Sequence, residues 1–380
     1  MTTISIKRRV AAACLPLFLF TAVSLVGCGG ASSTTEKFSL QQQTEQFVAT
    51  APVPGAAVLF IDHGHSNVAV AGNRFADHAS PLRLSDRVPL GSNSKAITAT
   101  LIARLIEKGA MRWDSTLAEL LPSMADAMLP VYRSVTIEML LRHRSGLIPL
   151  TSAADIGILG STGLFTGDLD RDRRALAAQA LATAPRFKPD TDAEYGNTNY
   201  LIAGLVAEQV SGLDYVSAVQ REVFQPIGAQ GQIDIDPTAL AGHERLGNTW
   251  KAVLPTADEH YLVQLAAAAG GWSMSMPSYA LFVQAHLDGL AGTSTLLKKA
   301  TFEKMHSSPT HNPFGIGWLV LDAGGGTFLS THTGSDDRSY QMTTALLPAE
   351  RRAIAIFING YSAPVLTATD GFGGTLLHQK

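Results

Sequence analysis

Cysteine is nearly absent from this chain. Of 380 residues two are Cys, and both, Cys14 and Cys28, lie at the N-terminal end. The body that follows has no thiol, which excludes disulfides, zinc–thiolate centres and cysteine nucleophiles there. Charge is also scarce: Asp, Glu, Lys and Arg make up 16% of residues, and the formal net charge is −3 without a basic block. Nothing electrostatic therefore points to nucleic acid as a partner. Internal repeats and long low-complexity tracts are missing as well. What is plentiful is apolar material, 46% of the chain, ample for a core and unlike a disordered composition. The length suits one large domain or two intimately packed ones.

The N-terminus reads as an export signal. Lys7, Arg8 and Arg9 form a positive flank, Val10 to Val26 is apolar or small throughout, and Leu25-Val26-Gly27-Cys28 follows. That last tetrad resembles a bacterial lipoprotein box, in which Cys28 is lipidated and becomes the new first residue. An ordinary signal peptide with an incidental Cys is one alternative. A retained membrane anchor is another, although an apolar run of about 17 residues is at the short limit for spanning. Small and polar residues from Gly29 to Glu45 read as a tether. The expected division is 1–27 signal peptide, 28–45 lipidated Cys and flexible tether, and 46–380 folded domain. The expected location is the cell envelope, with the membrane reached through lipid on Cys28. Gly29 rather than Asp after Cys28 favours the periplasmic side of the outer membrane in a Gram-negative cell.

Along the body, Ala56–Asp62 and Asn67–Gly72 are β-rich runs separated by His63-Gly64-His65, which predicts a hairpin. Two His so close also fit a metal site, but no third ligand stands nearby, and the turn explains them. Ser94 to Lys108 has helical periodicity: Ile97, Leu101, Leu105 and Lys108 share one face, Ala99, Ile102 and Ile106 lie beside it, and Gly109 stops it. Apolar on most sides, this helix is expected to be central and buried. Thr136 is placed to cap a helix over IEMLLRH, Tyr200–Val210 is a third helix ended by Ser211-Gly212, and Val216–Phe224 is a fourth ended by Pro226. The last third changes to strands, expected at Phe314–Asp322, Thr327–Thr333, Tyr340–Leu347 and Ala353–Asn359, with turns at Gly324-Gly325-Gly326 and Pro348-Ala349-Glu350. Short connections make these strands antiparallel neighbours. Joined to the N-terminal hairpin they give an α+β fold: an antiparallel sheet built from N- and C-terminal strands, flanked by helices, with a mostly helical inserted region.

The chemistry begins at Ser92-Asn93-Ser94-Lys95. A Ser three residues before a Lys at a helix start puts both side chains on one face, one turn apart. A serine hydroxyl is a poor nucleophile until a neighbour takes its proton. A Lys amine does that only when burial or nearby positive potential lowers its pKa from about 10.4. The positive helix N-terminus favours negative charge at the serine. Alone, the spacing also fits a capping Ser followed by a surface Lys. Ser94 is a rival nucleophile but has no Lys three residues on.

The context is richer. The stretch VPLGSNSKAITATLIARLIEKGAMRWDSTLAELLP resembles the active-site segment of the serine β-lactamase and penicillin-binding family, in which Ser-x-x-Lys opens a buried helix. VTIEMLLRHRSGL, EYGNTNYLIAGLVAEQVSG, REVFQPIGA and AAAGGWSMSMPSYALFV resemble further segments of that family in order, and His332-Thr333-Gly334 stands in the place of its Lys-Thr-Gly motif. The similarity runs from about Ala51 to Gly360. It implies a β-lactamase/transpeptidase-like fold and a set of roles. Ser92 attacks an acyl carbonyl. Lys95 is the general base or orients it. Tyr195, as phenolate or phenol, relays the proton to the leaving group. Asn197 hydrogen-bonds Lys95 or the substrate amide. Backbone N–H groups of Ser92 and Ser335 form the oxyanion hole, and His332, Thr333 and Gly334 line the substrate site.

This chain departs from the family pattern at three places. His332 replaces Lys, and a neutral His attracts a carboxylate less than Lys does, although His-Thr-Gly occurs among D-amino-acid peptidases of the family. Ser335-Asp336-Asp337-Arg338 follows where many relatives are Gly-rich, and Arg338 is open to two readings: a substrate carboxylate, or a turn salt bridge with Asp336 or Asp337. Ala193 stands where many relatives have an aromatic residue. The expected function is a serine hydrolase working through an acyl-enzyme without metal or organic cofactor. Its expected substrates are small molecules or peptides, first D-amino-acid peptides, as for a DD-carboxypeptidase, or esters, with a β-lactam behind them. A non-hydrolysing penicillin-binding sensor is the alternative of another class.

Overall fold

The computed structural model describes residues 38–151, 166–233, 236, 239–308 and 312–379. The expected signal peptide, Cys28 and most of the tether lie outside the described residues.

The principal sheet has six antiparallel strands in the order β2-β1-β11-β10-β9-β8. They are β1 (Gly55–Asp62), β2 (His65–Gly72), β8 (Leu319–Gly324), β9 (Thr327–Ser335), β10 (Gln341–Leu347) and β11 (Arg352–Ile358). The two ends of the chain meet where β1 pairs with β11, Val58 opposite Ile356. Because successive side chains point to opposite faces and both faces are buried, β1 and β11 are apolar almost throughout. Ala57, Leu59 and Ile61 of β1 and Ala353, Ala355 and Phe357 of β11 enter the larger core with the central helices. Ala56, Val58 and Phe60, with Ile354, Ile356 and Ile358, enter a second core on the opposite face. That second face is covered by α1 (Leu40–Thr50) and by the C-terminal helix Ala363–His378, locked together by Phe47 stacked on Phe372 at 4.7 Å between ring centroids.

Helix α1 corrects the expected domain boundary, because residues 40–45 are helix rather than tether. Its start is specified by a capping box: Ser39 accepts from the Gln42 N–H, and the Gln42 side chain accepts from Ser39 N–H. The sheet itself is longer and shorter than expected in places. Strand β2 begins at His65, paired with Asp62, so the turn is His63-Gly64 alone. The strand expected from Phe314 forms only from Leu319. Before it, Gly315 and Gly317 let the chain press against the core. Gly317 has φ +83°, and a Cβ there would come within 2.8 Å of the Ala99 methyl.

Helix α2 (Ser94–Glu107) runs through the larger core, with Ile97, Leu101, Ile102 and Leu105 buried. Each such side chain contributes about 1.5–3 kcal/mol of burial free energy. The helix capped by Thr136, which accepts from the Met139 N–H, stops at Leu141, two residues before the expected His143. The third expected helix starts earlier, at Asn197, and ends at Ser211 before Gly212 in the left-handed conformation. The fourth is broken into an α-turn, Tyr215–Val219, and a π-helical stretch, Gln220–Phe224. Pro226 lies within the short turn after it, which ends at Gly228. A small sheet, β3 (Arg87–Pro89), β7 (Trp272–Ser275) and β4 (Gln232–Ile233), pairs Pro89 with Ser273. It ties the segment before Ser92 to the segment after Ala269. The α+β arrangement expected from the sequence is the one observed.

Candidate active site

Ser92 lies in the 3-10 turn Gly91–Asn93, directly before α2. The turn is pinned from below: the Asn93 amide donates to Leu90 O at 3.0 Å and to Met342 O on β10 at 2.9 Å. Strand β9 closes against it. A Cβ on Gly91 would stand 2.9 Å from Ser335 N, and a Cβ on Gly334 would stand 2.5 Å from Ser92 N. Only two glycines permit this approach, which brings the backbone of Ser92 beside that of Ser335. Ser94, the rival nucleophile, is buried, and its Oγ accepts from the Trp272 N–H at 3.1 Å. It caps β7 instead of facing the site.

Lys95 is completely buried. Its Nζ is 3.0 Å from Ser92 Oγ, 2.7 Å from Asn197 Oδ1 and 2.8 Å from Ala269 O. Burial brings its pKa down from 10.5 to about 7. The amide of Asn197 has its orientation fixed, because Nδ2 donates to Leu150 O at 3.0 Å and leaves Oδ1 for Lys95. Two of the three neighbours of Nζ are therefore oxygens that only accept. A neutral amine gives them its two N–H groups, and its lone pair then faces Ser92 Oγ.

Tyr195 stands over this group, its ring centroid 4.8 Å from Lys95 Nζ. Burial raises its pKa, with a hydrogen bond to Ser92 acting in the opposite direction and the charge of Asp337 adding to the rise. At neutral pH it is a phenol. Its hydroxyl is 3.3 Å from His332 Nε2, while His332 Nδ1 is 2.8 Å from Gly317 O. A carbonyl oxygen cannot donate, so Nδ1 carries the proton and Nε2 accepts from Tyr195. Burial and the nearby Lys95 hold the His332 pKa down at about 3. His332 is thus a neutral acceptor. Thr333 Oγ1 lies 3.4 Å from Thr343 Oγ1 on β10.

The structure therefore brings together Ser92, Lys95, Tyr195, Asn197, His332, Thr333, Gly334 and the Ser335 backbone. Arg338 differs from the turn-bridge expectation. Its guanidinium reaches Glu259 at 3.3 Å, and Asp336 instead accepts the backbone N–H groups of Arg338, Ser339 and Tyr340. Ala193 is half-buried beside the tyrosine segment. His63 pairs with Asp62 at 2.8 Å, and among the described residues no group of His, Cys, Asp and Glu is arranged to hold a metal ion.

One residue escaped the sequence reading. His143 is buried beneath Tyr195, ring centroids 4.7 Å apart, and also contacts Tyr200 and Phe314. Its Nδ1 accepts the Gly196 N–H at 3.1 Å and its carbonyl accepts the Glu194 N–H. Burial first, then Lys95 and His332, push its pKa well below the usual imidazole value. His143 grips the Tyr195 segment on both sides from a left-handed backbone, φ +58°. The signal lay in its position just past a short helix, where the sequence pattern suggested continued helix.

The family model described as Beta-lactamase matches residues 40–371. Penicillin-binding protein 4 of Amycolatopsis lactamdurans is 28% identical over 255 residues, 65% of this chain and 63% of that protein. Among solved structures, D-amino acid amidase from Ochrobactrum anthropi SV3, complexed with D-phenylalanine, aligns with a TM-score of 0.70 at 18% identity, over 90% of this chain and 98% of that one. A class C beta lactamase from Rhodobacter sphaeroides aligns with a TM-score of 0.67 at 20% identity, over 88% and 97% of the two chains. These structural likenesses establish a shared fold. The chain spans less than two thirds of the length of the first curated relatives it matches, 63% and 53% for two of them.

Proposed function

We propose a function from this premise: the chain belongs to the Beta-lactamase family, a family of serine hydrolases. The reading is acyl transfer to water through an acyl-enzyme on Ser92. One observation carries it: the buried Lys95 amine, its pKa brought down to about 7, lies 3.0 Å from Ser92 Oγ, within reach of the proton that the hydroxyl must lose.

The geometry supports these steps. Ser92 Oγ bonds to the acyl carbon while its proton passes to Lys95 Nζ, and the carbonyl electrons move onto oxygen. The Ser92 and Ser335 N–H groups receive that oxyanion. The intermediate collapses, the bond to the leaving nitrogen or oxygen breaks, and the proton returns from Lys95 to the leaving group with the Tyr195 hydroxyl bridging. Water then repeats the sequence on the acyl-enzyme, freeing the acid and Ser92. Asn197 holds Lys95, and His332 holds the Tyr195 hydroxyl.

For the acyl group, D-amino-acid peptides, amides or esters are favoured. The supports are the His-Thr-Gly motif and the fold shared with a D-amino acid amidase. A β-lactam carries a carboxylate for which His332 offers no charge. Export with a lipid on Cys28, and hence a place at the envelope membrane, belongs to the same proposal and rests on the N-terminal sequence.

Hydrolysis of a p-nitrophenyl ester by wild type and by Ser92→Ala tests the reading. Loss of turnover with an unchanged circular-dichroism spectrum is expected. Near wild-type turnover in the variant would remove Ser92 from the mechanism.

A further inference from the structure

The basic side chains that the motifs bring to this site are all engaged by the protein itself. Lys95 Nζ is surrounded by Ser92, Asn197 and Ala269. His332 has one ring nitrogen on Gly317 O and the other on Tyr195, so no N–H of the imidazole is left for a ligand. Arg338 is drawn to Glu259. An acid follows the end of the strand that carries His332. Asp337 follows two residues after Ser335, is exposed, and has φ +56°. Its Oδ1 accepts from Ser335 Oγ at 2.5 Å, which fixes the carboxylate beside the strand end that supplies the second oxyanion N–H. Its charge adds to the rise that burial gives the Tyr195 pKa.

We propose that the site selects acyl donors by charge: it takes amino-acid amides or esters with a free ammonium group and discriminates against donors with a carboxylate near the scissile bond, with Asp337 as the selecting charge. This rests on the acyl-transfer reading above and narrows its substrate class away from DD-carboxypeptidase substrates. A carboxylate at the strand end meets a neutral imidazole without a donor and a like charge on Asp337. An ammonium group meets an opposite charge held in place by Ser335. The reaction is simple hydrolysis: the acyl C–N or C–O bond breaks, water gives its hydroxyl to the acyl carbon and its proton to the leaving group, and no oxidant or reductant takes part.

The test is a charge series on the full-length protein. D-alanine p-nitroanilide, its N-acetyl form and its N-succinyl form present an ammonium, a neutral and a carboxylate group at one position. D-alanyl-D-alaninamide and D-alanyl-D-alanine differ only in the terminal carboxylate. Expected kcat/KM falls in the order ammonium, neutral, carboxylate, by about fivefold per step as for an exposed ion pair, and the dipeptide amide exceeds the acid. Asp337→Asn brings the ammonium-to-neutral ratio to within about twofold, Asp337→Lys inverts it, and 1 M salt shrinks it in wild type by screening. Ratios measured on one preparation do not depend on the folded fraction.

A preference for the carboxylate, or a ratio that Asp337→Asn leaves unchanged, would overturn the proposal. So would labelling of Ser92 by a fluorophosphonate without cleavage of any member of the series. If Ser92 is not labelled either, the acyl-transfer reading itself fails.

Discussion

Helix α2 carries a buried chain of titratable groups on each side, and only one of them has an open end. On the side of the site, Lys95 gives N–H groups to Asn197 Oδ1 and Ala269 O, and as the neutral amine it keeps its lone pair for the half-buried Ser92, whose Oγ is 3.0 Å away. On the other side, Thr100 donates to Ala96 O and lies 3.1 Å from His286 Nε2. His286 Nδ1 lies 2.9 Å from His306 Nε2, and His306 Nδ1 lies 2.8 Å from Ser330 Oγ on β9. Because the Thr100 proton is committed to a carbonyl, His286 donates to Thr100, His306 donates to His286, and Ser330 donates to His306. Every proton in that chain is assigned, and all four residues are buried. Burial lowers His286 to about 3, and burial together with the neighbouring His286 holds His306 well below its ordinary value. Depressed pKa values occur in both chains. What separates a reactive group from a structural one is a lone pair left over and aimed at a group that solvent or substrate reaches.

That distinction is easiest to break at its reactive end. Ser92→Ala is expected to lower kcat by at least ~10³-fold, as loss of a nucleophile does, measured with an activated ester. Lys95→Ala is expected to cost at least ~10²-fold, in line with a lost general base. In wild type, kcat/KM should rise with pH through an apparent pKa near 7, because the protonated amine has no lone pair for Ser92. His332 has a pKa of about 3 and contributes no limb in that range, so His332→Gln should leave the limb in place.

The closed chain should respond in stability instead. Removing one ring by His306→Leu strands its partners and is expected to cost about 1–3 kcal/mol in chemical denaturation, with the limb near pH 7 unmoved. Its pH dependence has a definite sign. The His286 ring is neutral when folded and takes up a proton on unfolding below about pH 6.5, so stability declines as pH falls from there toward about 3. His143 lies between the two cases, since it is buried yet grips the Tyr195 segment. His143→Ala should lower kcat about tenfold with little change in KM, and His143→Asn, which tolerates the left-handed backbone, should recover part of it. The smallest effect is expected at the exposed Arg338–Glu259 pair, where Arg338→Ala should change stability by less than about 1 kcal/mol.

The sequence displayed the reactive chain better than the structural one for a physical reason. Ser92 and Lys95 are one helical turn apart, a spacing visible along the chain. Thr100, His286, His306 and Ser330 are brought together only by tertiary packing. Continuous apolar runs announced β1 and β11, because both sheet faces are buried there. The strand expected from Phe314 is shortened at Gly317, whose close approach to Ala99 is a tertiary demand. Helix α1 reads as tether in the sequence because its outer face, Gln41, Gln42, Glu45 and Gln46, is polar, although the Ser39 and Gln42 pair of a capping box stands in plain sight. Arg338 shows the limit of local reasoning: its acidic neighbours Asp336 and Asp337 are busy with backbone and Ser335, and its partner comes from the helix Ala257–Leu265.

The claim that Lys95 activates Ser92 for covalent catalysis is tested most directly by intact-mass spectrometry with peptide mapping. Wild type and Ser92→Ala would each be mixed with a fluorophosphonate at pH 6 and pH 8. A single adduct on Ser92 is expected, absent from the variant and formed several-fold faster at pH 8, where the Lys95 amine is mostly neutral. Equal labelling of both proteins, or an adduct mapped to another residue, would contradict it.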